Sequence, residues 1–209
     1  MDHIDIINLL IKKNNFQTYL EIGVSDPKNC FDKIKVTDKA SVDPGIEFKE
    51  NPVEFRLTSD KFFKHLENSK TRFDKDFKWD IIFIDGLHLA EQVYRDIKNS
   101  LNHISDNGFI ILHDCNPPNS YFAREDYMVN GVYDSWNGTT WKAFYKIRTE
   151  GLNIETYTID TDWGLGVIKK ANKPNHIPFE NPFFEYNIMS ENRQNHLGLI
   201  SINEFLDKI

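Results

Sequence analysis

The sequence has no apolar run approaching the roughly 18 residues that a bilayer-crossing helix needs, so no membrane span is expected. Its densest apolar stretch, Ile81-Ile82-Phe83-Ile84, has the length of a buried strand. Cysteine is scarce: Cys30 and Cys115 cannot make a disulfide framework, and free thiols are the simpler reading. No C-x-x-C or H-E-x-x-H spacing marks a zinc site. Basic charge is short too. With 25 Lys and Arg against 32 Asp and Glu, the net charge of -7 argues against nucleic acid, whose phosphates demand a basic patch. The start, Met1-Asp2-His3-Ile4-Asp5, lacks the basic region and small-residue cleavage site of a signal peptide, so a cytoplasmic chain is expected.

What is present is an alternation of apolar strands and amphipathic helices. Ile4, Ile7, Leu10 and Ile11 predict a helix over residues 3–14, closed by Asn14-Asn15. Strands are expected at 18–23, 40–43, 54–57, 79–85 and 108–114. Helices are expected at 27–35, 62–68, 88–102 and 139–147, with Thr58-Ser59-Asp60 capping the second of these. Residues 154–159 and 163–169 read as an antiparallel hairpin, and 203–208 as a last short helix. Alternation of this kind implies a doubly wound, mostly parallel α/β sheet, Rossmann-like, with ligands outside the carboxyl ends of its strands. Glu21, Asp43, Asp85 and Asp114 all fall at or near such ends.

The first turn reads Glu21-Ile22-Gly23-Val24-Ser25, one glycine where a dinucleotide site has G-x-G-x-x-G. Glu21 and Asp26 would repel phosphate, so a ligand with a cationic end and no phosphate fits better; S-adenosylmethionine is one. Asp43, 20 residues after Gly23, stands where an acid takes ribose hydroxyls in such folds.

In order along the chain come Tyr19-Leu20-Glu21-Ile22-Gly23-Val24, Ser41-Val42-Asp43-Pro44-Gly45, Leu57-Thr58-Ser59-Asp60, Asp80-Ile81-Ile82-Phe83-Ile84-Asp85-Gly86-Leu87-His88 and Gly108-Phe109-Ile110-Ile111-Leu112-His113-Asp114. This ordered set resembles the class I S-adenosylmethionine-dependent methyltransferases, in particular a small bacterial branch with I-D-G-x-H and H-D-C-N-P-P segments; the resemblance covers roughly residues 18–170. It implies a seven-stranded sheet whose antiparallel strand comes from the terminal hairpin. It also implies Glu21 and Gly23 at the methionine end of the cofactor, Asp43 at the ribose, Ser59 and Asp60 at the adenine, and Asp85 near the amino group and the transferred methyl. Where most members have two or three glycines in the first turn, this chain has Ser25-Asp26-Pro27-Lys28.

Two chemistries remain open for the acceptor. Asp85, Asp114 and Asn116 form an oxygen set suited to Mg²⁺, similar to the ion site of catechol and macrolide-sugar O-methyltransferases, although Cys115 interrupts the pair. Alternatively His88 or His113 takes the hydroxyl proton. The loop 115–138, with Tyr121, Arg124, Tyr127, Tyr133 and Trp136, reads either as a lid or as an oligomer contact. The expected organisation is a methyltransferase domain with its N-terminal helix over 1–170 and a C-terminal extension over 171–209, packed on the same domain or on a partner subunit of a homo-oligomer. The aromatic residues Phe179, Phe183, Phe184 and Tyr186 suit either place. By family analogy the acceptor is a sugar or another small hydroxyl metabolite. The competing readings are a nucleotide-utilising enzyme on the same sheet and a non-catalytic Rossmann-like binding or assembly module.

Overall fold

Asp2 caps the first helix, α1 (His3–Asn14), through a reciprocal box with Asp5, and Asn15 ends it in the left-handed conformation, φ 54°. Its buried face is Ile6, Ile7, Leu10 and Ile11, as the spacing predicts. The computed structural model describes residues 1–209 except Lys49 and Asn175, together with the side chains of Val132 and Tyr133; the loop residue Tyr133 is therefore placed by its backbone alone. The strands are β1 (Thr18–Ile22), β2 (Asp38–Val42), β3 (Trp79–Ile84), β4 (Ile104–Leu112), β5 (Met128–Val129), β6 (Val132–Tyr133), β7 (Ile154–Ile159), β8 (Leu165–Lys170) and β9 (Leu199–Ile200). The other helices are α2 (Ser59–Glu67), α3 (Ala90–His103), α4 (Thr140–Thr149), α5 (Tyr186–Glu191), α6 (Arg193–Leu197) and α7 (Ile202–Lys208). Seven strands form one sheet in the order β2-β1-β3-β4-β8-β7-β9, and β5 and β6 make a separate two-stranded ribbon in the loop 115–138. The fold is the Rossmann-like class that the alternation predicts.

Three expectations are corrected. Residues 27–35 do not form a helix; only a single 3-10 turn, Phe31–Lys33, interrupts the crossover from β1 to β2. Residues 54–57 are not a strand. Phe55 makes one parallel bridge to Val42, and its N–H donates to the Ser41 carbonyl at 2.9 Å. The seventh strand is instead β9, from the C-terminal extension, which pairs parallel to β7.

The chain divides into two compact units, residues 1–87 with 95–111 and residues 88–94 with 112–209. In the first, β1 lies between β2 and β3 in parallel register, Glu21 opposite Ser41 and Phe83. Strand β3 is buried on both faces, as a central parallel strand is, and Trp79 at its start anchors an aromatic cluster with Phe62, Phe73 and Phe77. In the second unit, β7 and β8 form the expected hairpin, Ile159 opposite Leu165. Here α4 packs Trp141 and Tyr145 against Met189 and Leu197 of the extension. Arg148 ties the two: its guanidinium, buried to 6 % exposure, donates to the carbonyls of Thr156 (2.9 Å), Leu197 (3.1 Å) and Asn195 (3.2 Å). Burial lowers its pKa to about 10.

Candidate active site

Four of the residues expected at the cofactor stand at the carboxyl ends of β2, β1 and β3. Gly23 follows β1 with φ 84°, and a Cβ there would overlap the Asp85 carbonyl oxygen and the Gly86 Cα. Its N–H donates to the Val42 carbonyl at 2.9 Å, and the Asp85 N–H donates to Ile22 at 2.9 Å, so the glycine locks three strand ends together.

Glu21 is 1 % exposed and accepts from the Tyr19 hydroxyl at 2.5 Å. Its carboxyl pKa is raised to about 8 from an ordinary value near 4.5: burial dominates, the Tyr19 bond works the other way, and the Asp85 charge adds to the rise. The same buried pocket pushes the Tyr19 hydroxyl and the Cys30 thiol upward. The linkage has a definite sign. Between pH 4.5 and 8 the unfolded chain releases the Glu21 proton while the folded chain keeps it, so stability falls as pH rises through that window. Glu21→Gln carries no titratable proton and is expected to flatten this fall. The unfolding midpoint of the wild type drops more than that of the variant between pH 6 and 8.5; parallel profiles would refute the assignment.

Asp43, expected at the ribose, is engaged by the chain itself. Its Oδ2 accepts from the Val24 and Ser25 N–H groups at 3.1 and 3.0 Å. Its Oδ1 accepts from Gly45 N at 2.6 Å and Asn51 Nδ2 at 3.1 Å. Four donors thus meet the roughly four lone-pair positions of this carboxylate. Ser59 and Asp60 open α2 beneath the Thr58 cap, and Asp60 pairs with Arg95 at 3.3 Å rather than with the other acids.

A second cluster forms within residues 88–94 and 112–209. Asp114 follows β4 in the left-handed region, φ 61°, and is 4 % exposed. The Nδ1 atoms of His88 and His113 each lie 3.2 Å from its Oδ2, and the Asn137 amide donates to its Oδ1. His113 Nε2 lies 3.6 Å from Asp162. Two pieces of the 115–138 loop and its exit hold His88. The Trp136 ring stacks on it at 5.1 Å, and the Thr139 N–H donates to its carbonyl at 2.7 Å. A Cβ on Gly138 would overlap that carbonyl. The loop itself is knit by Arg124, whose guanidinium donates to Tyr121 (2.7 Å) and Ser135 (3.1 Å) carbonyls and lies over the Tyr121 ring.

Two members of the oxygen set expected for Mg²⁺, Asn116 and Asp114, are engaged by neighbours in their own unit. The Asn116 amide oxygen accepts from Arg193 of the extension, and its amide nitrogen donates to Asp160 at 3.1 Å. Both Asp114 oxygens already have partners. Burial keeps Glu21 protonated up to about pH 8, so it would meet a cationic, phosphate-free cofactor as a neutral hydrogen-bonding group rather than as a charge. Sequence reasoning missed Asn137, Arg193 and Asp162; Asn137 lay near the end of the loop 115–138 with no signal of its own.

Residues 20–115 match the family model described as a methyltransferase domain. No curated protein matches the chain in sequence. Among solved structures, the S-adenosylhomocysteine-bound Podospora anserina methyltransferase PaMTH1 aligns over 80 % of this chain and 77 % of its own, with 16 % identity and a TM-score of 0.51. The O-methyltransferase TomG from Streptomyces achromogenes, solved with S-adenosylmethionine, aligns over 80 % and 78 % with 11 % identity and a TM-score of 0.51. MycE, a methyltransferase of mycinamycin biosynthesis solved with Mg, S-adenosylhomocysteine and mycinamycin VI, aligns over 90 % of this chain and 53 % of its own, with 14 % identity and a TM-score of 0.51. These likenesses show the fold. On that fold, the match to a methyltransferase domain runs from β1 to just past the end of β4.

Proposed function

We propose that the chain methylates a hydroxyl oxygen of a small molecule, a sugar or a comparable polyhydroxyl metabolite, with His88 as the base. The observation that carries this reading is the placement of His88 Nδ1 3.2 Å from the buried Asp114 carboxylate. The pair is not aligned as a hydrogen bond, but the negative carboxylate beside Nδ1 favours electrostatically the tautomer with its proton there, and so leaves the lone pair on Nε2. That nitrogen takes the acceptor proton as the hydroxyl oxygen attacks. Asp114 then faces an imidazolium and stabilises it, while Asn137 and His113 keep the carboxylate from turning away. Trp136 holds the ring plane of His88. Bound S-adenosylmethionine supplies an electrophilic methyl group on a sulfonium. Glu21 and Gly23 would hold its methionine end, Ser59 and Asp60 its adenine, and Asp85 its amino group. No magnesium step enters this reading, in which Arg193 and Asn137 donate to Asn116 and Asp114 instead.

Thermal unfolding with saturating ligand tests it first. S-adenosylhomocysteine at about 100 times its Kd stabilises by about 2.7 kcal/mol, which raises the midpoint of a chain this size by about 5–10 °C. NAD is expected to give no shift, and EDTA to leave methyl transfer to a hydroxylated acceptor unchanged. A shift with NAD alone would overturn the assignment, and transfer that EDTA abolishes would replace the histidine with an ion.

A further inference from the structure

Asp43 carries an inference that rests on the methyltransferase reading and departs from the expected use of its position. Two successive backbone N–H groups that converge on one point form an anion-binding concavity. In glycine-rich dinucleotide turns a ligand phosphate sits in such a place. Here the Val24 and Ser25 N–H groups converge on Asp43 Oδ2, at 3.1 and 3.0 Å, so the anion comes from the chain itself. The other oxygen is anchored on the far side by Gly45 N and Asn51 Nδ2, at 2.6 and 3.1 Å. Ser25 has φ 48°, a conformation that favours glycine and that most side chains resist. Nothing in the local sequence supplies that conformation, since the usual second and third glycines are missing.

We propose that Asp43 is a positioning residue, the built-in anion of the first turn. It holds Ser25 left-handed in place of the missing glycines, closes the turn to ligand phosphate, and leaves the ribose hydroxyls to other groups. The turn is then shaped before any cofactor arrives, and it selects a phosphate-free adenosyl ligand over a dinucleotide.

The test compares wild type and Asp43→Asn by calorimetric titration with S-adenosylhomocysteine and with its 3′-deoxy analogue. Amide hydrogen exchange at Val24 and Ser25 is followed in the ligand-free proteins. An asparagine keeps the shape and exchanges one acceptor oxygen for a donor. Both ligands are expected to weaken by one common factor of about tenfold, so their affinity ratio does not change, and the two amides are expected to exchange at least about tenfold faster. Adding Ser25→Gly to Asp43→Asn is expected to restore most of the affinity, because glycine holds the conformation unaided. If the ribose discrimination of the wild type vanishes in Asp43→Asn, Asp43 reads the ribose and the proposal falls. Unchanged exchange at Val24 and Ser25 overturns it equally. Should Asp43→Asn not fold, the same two readouts are taken on the Ser25→Gly double variant, and its failure to fold also counts against the proposal. If the wild type does not bind S-adenosylhomocysteine, the methyltransferase reading fails, and the exchange data still decide whether Asp43 holds the turn.

Discussion

His88→Ala is expected to lower the methyl-transfer rate by about 10²–10⁴-fold, the range that a positioned general base contributes. The stabilisation conferred by S-adenosylhomocysteine should not change. The separation matters because the proposed function gives the two clusters different work. Glu21, Gly23 and Asp85 belong to residues 1–87, whereas His88, His113, Asp114 and Asn137 belong to the other compact unit. Asp114→Asn should fall in the same direction, because an amide no longer fixes the Nδ1 proton of either imidazole or faces an imidazolium as a charge. His113→Ala keeps the His88–Asp114 pair and is expected to cost less than Asp114→Asn. Steady-state kinetics on the four proteins, with the unfolding midpoint as a control for lost Trp136 packing, measures this directly. A His88→Ala rate within about threefold of wild type would mean that positioning alone drives the transfer.

Gly23→Ala is expected to abolish S-adenosylhomocysteine binding and to destabilise the fold by about 3 kcal/mol or more. Two costs combine. The alanine must hold φ 84°, a left-handed conformation worth about 1–2 kcal/mol against a residue with a Cβ. The Cβ would also overlap the Asp85 carbonyl and the Gly86 Cα, both backbone atoms of the neighbouring strand end, which no rotamer change can relieve. The ends of β1 and β3 would have to separate, breaking the 2.9 Å bond from Asp85 N to Ile22, and a shifted Gly23 would strain its own 2.9 Å bond to Val42 of β2. Differential scanning calorimetry should show the midpoint down by about 6–12 °C. A midpoint within about 2 °C of wild type would show that the close approach is not a constraint on the fold.

Much of this was legible in the sequence. Strands β1, β3 and β4 and the β7–β8 hairpin appeared where the apolar runs and turn residues placed them, and Thr58 and Asn15 stood at the helix ends that their chemistry predicted. These are decisions of local period and local capping, which a strand or a helix makes within its own few residues. Glu21, Asp43, Asp85 and Asp114 were legible for the same reason, since a strand end is a local feature. Residues 54–57 show where that reasoning stops: they have a strand composition, yet only Phe55 bridges Val42. Strand β9 shows the converse, for Leu199-Ile200 has little signal of its own and becomes the seventh strand because β7 has a free edge. Which partners the site residues take was settled by groups distant in the chain. Asn137 lies 23 residues from Asp114, and Arg193 lies 77 residues from Asn116. Arg148 needs carbonyls up to 49 residues away to justify its burial. The sequence by itself determined which acids and imidazoles stand at the strand ends. Only the tertiary structure decided which of their lone pairs the protein keeps for itself, because a buried polar group takes whichever partner the fold brings within reach, however far along the chain it lies.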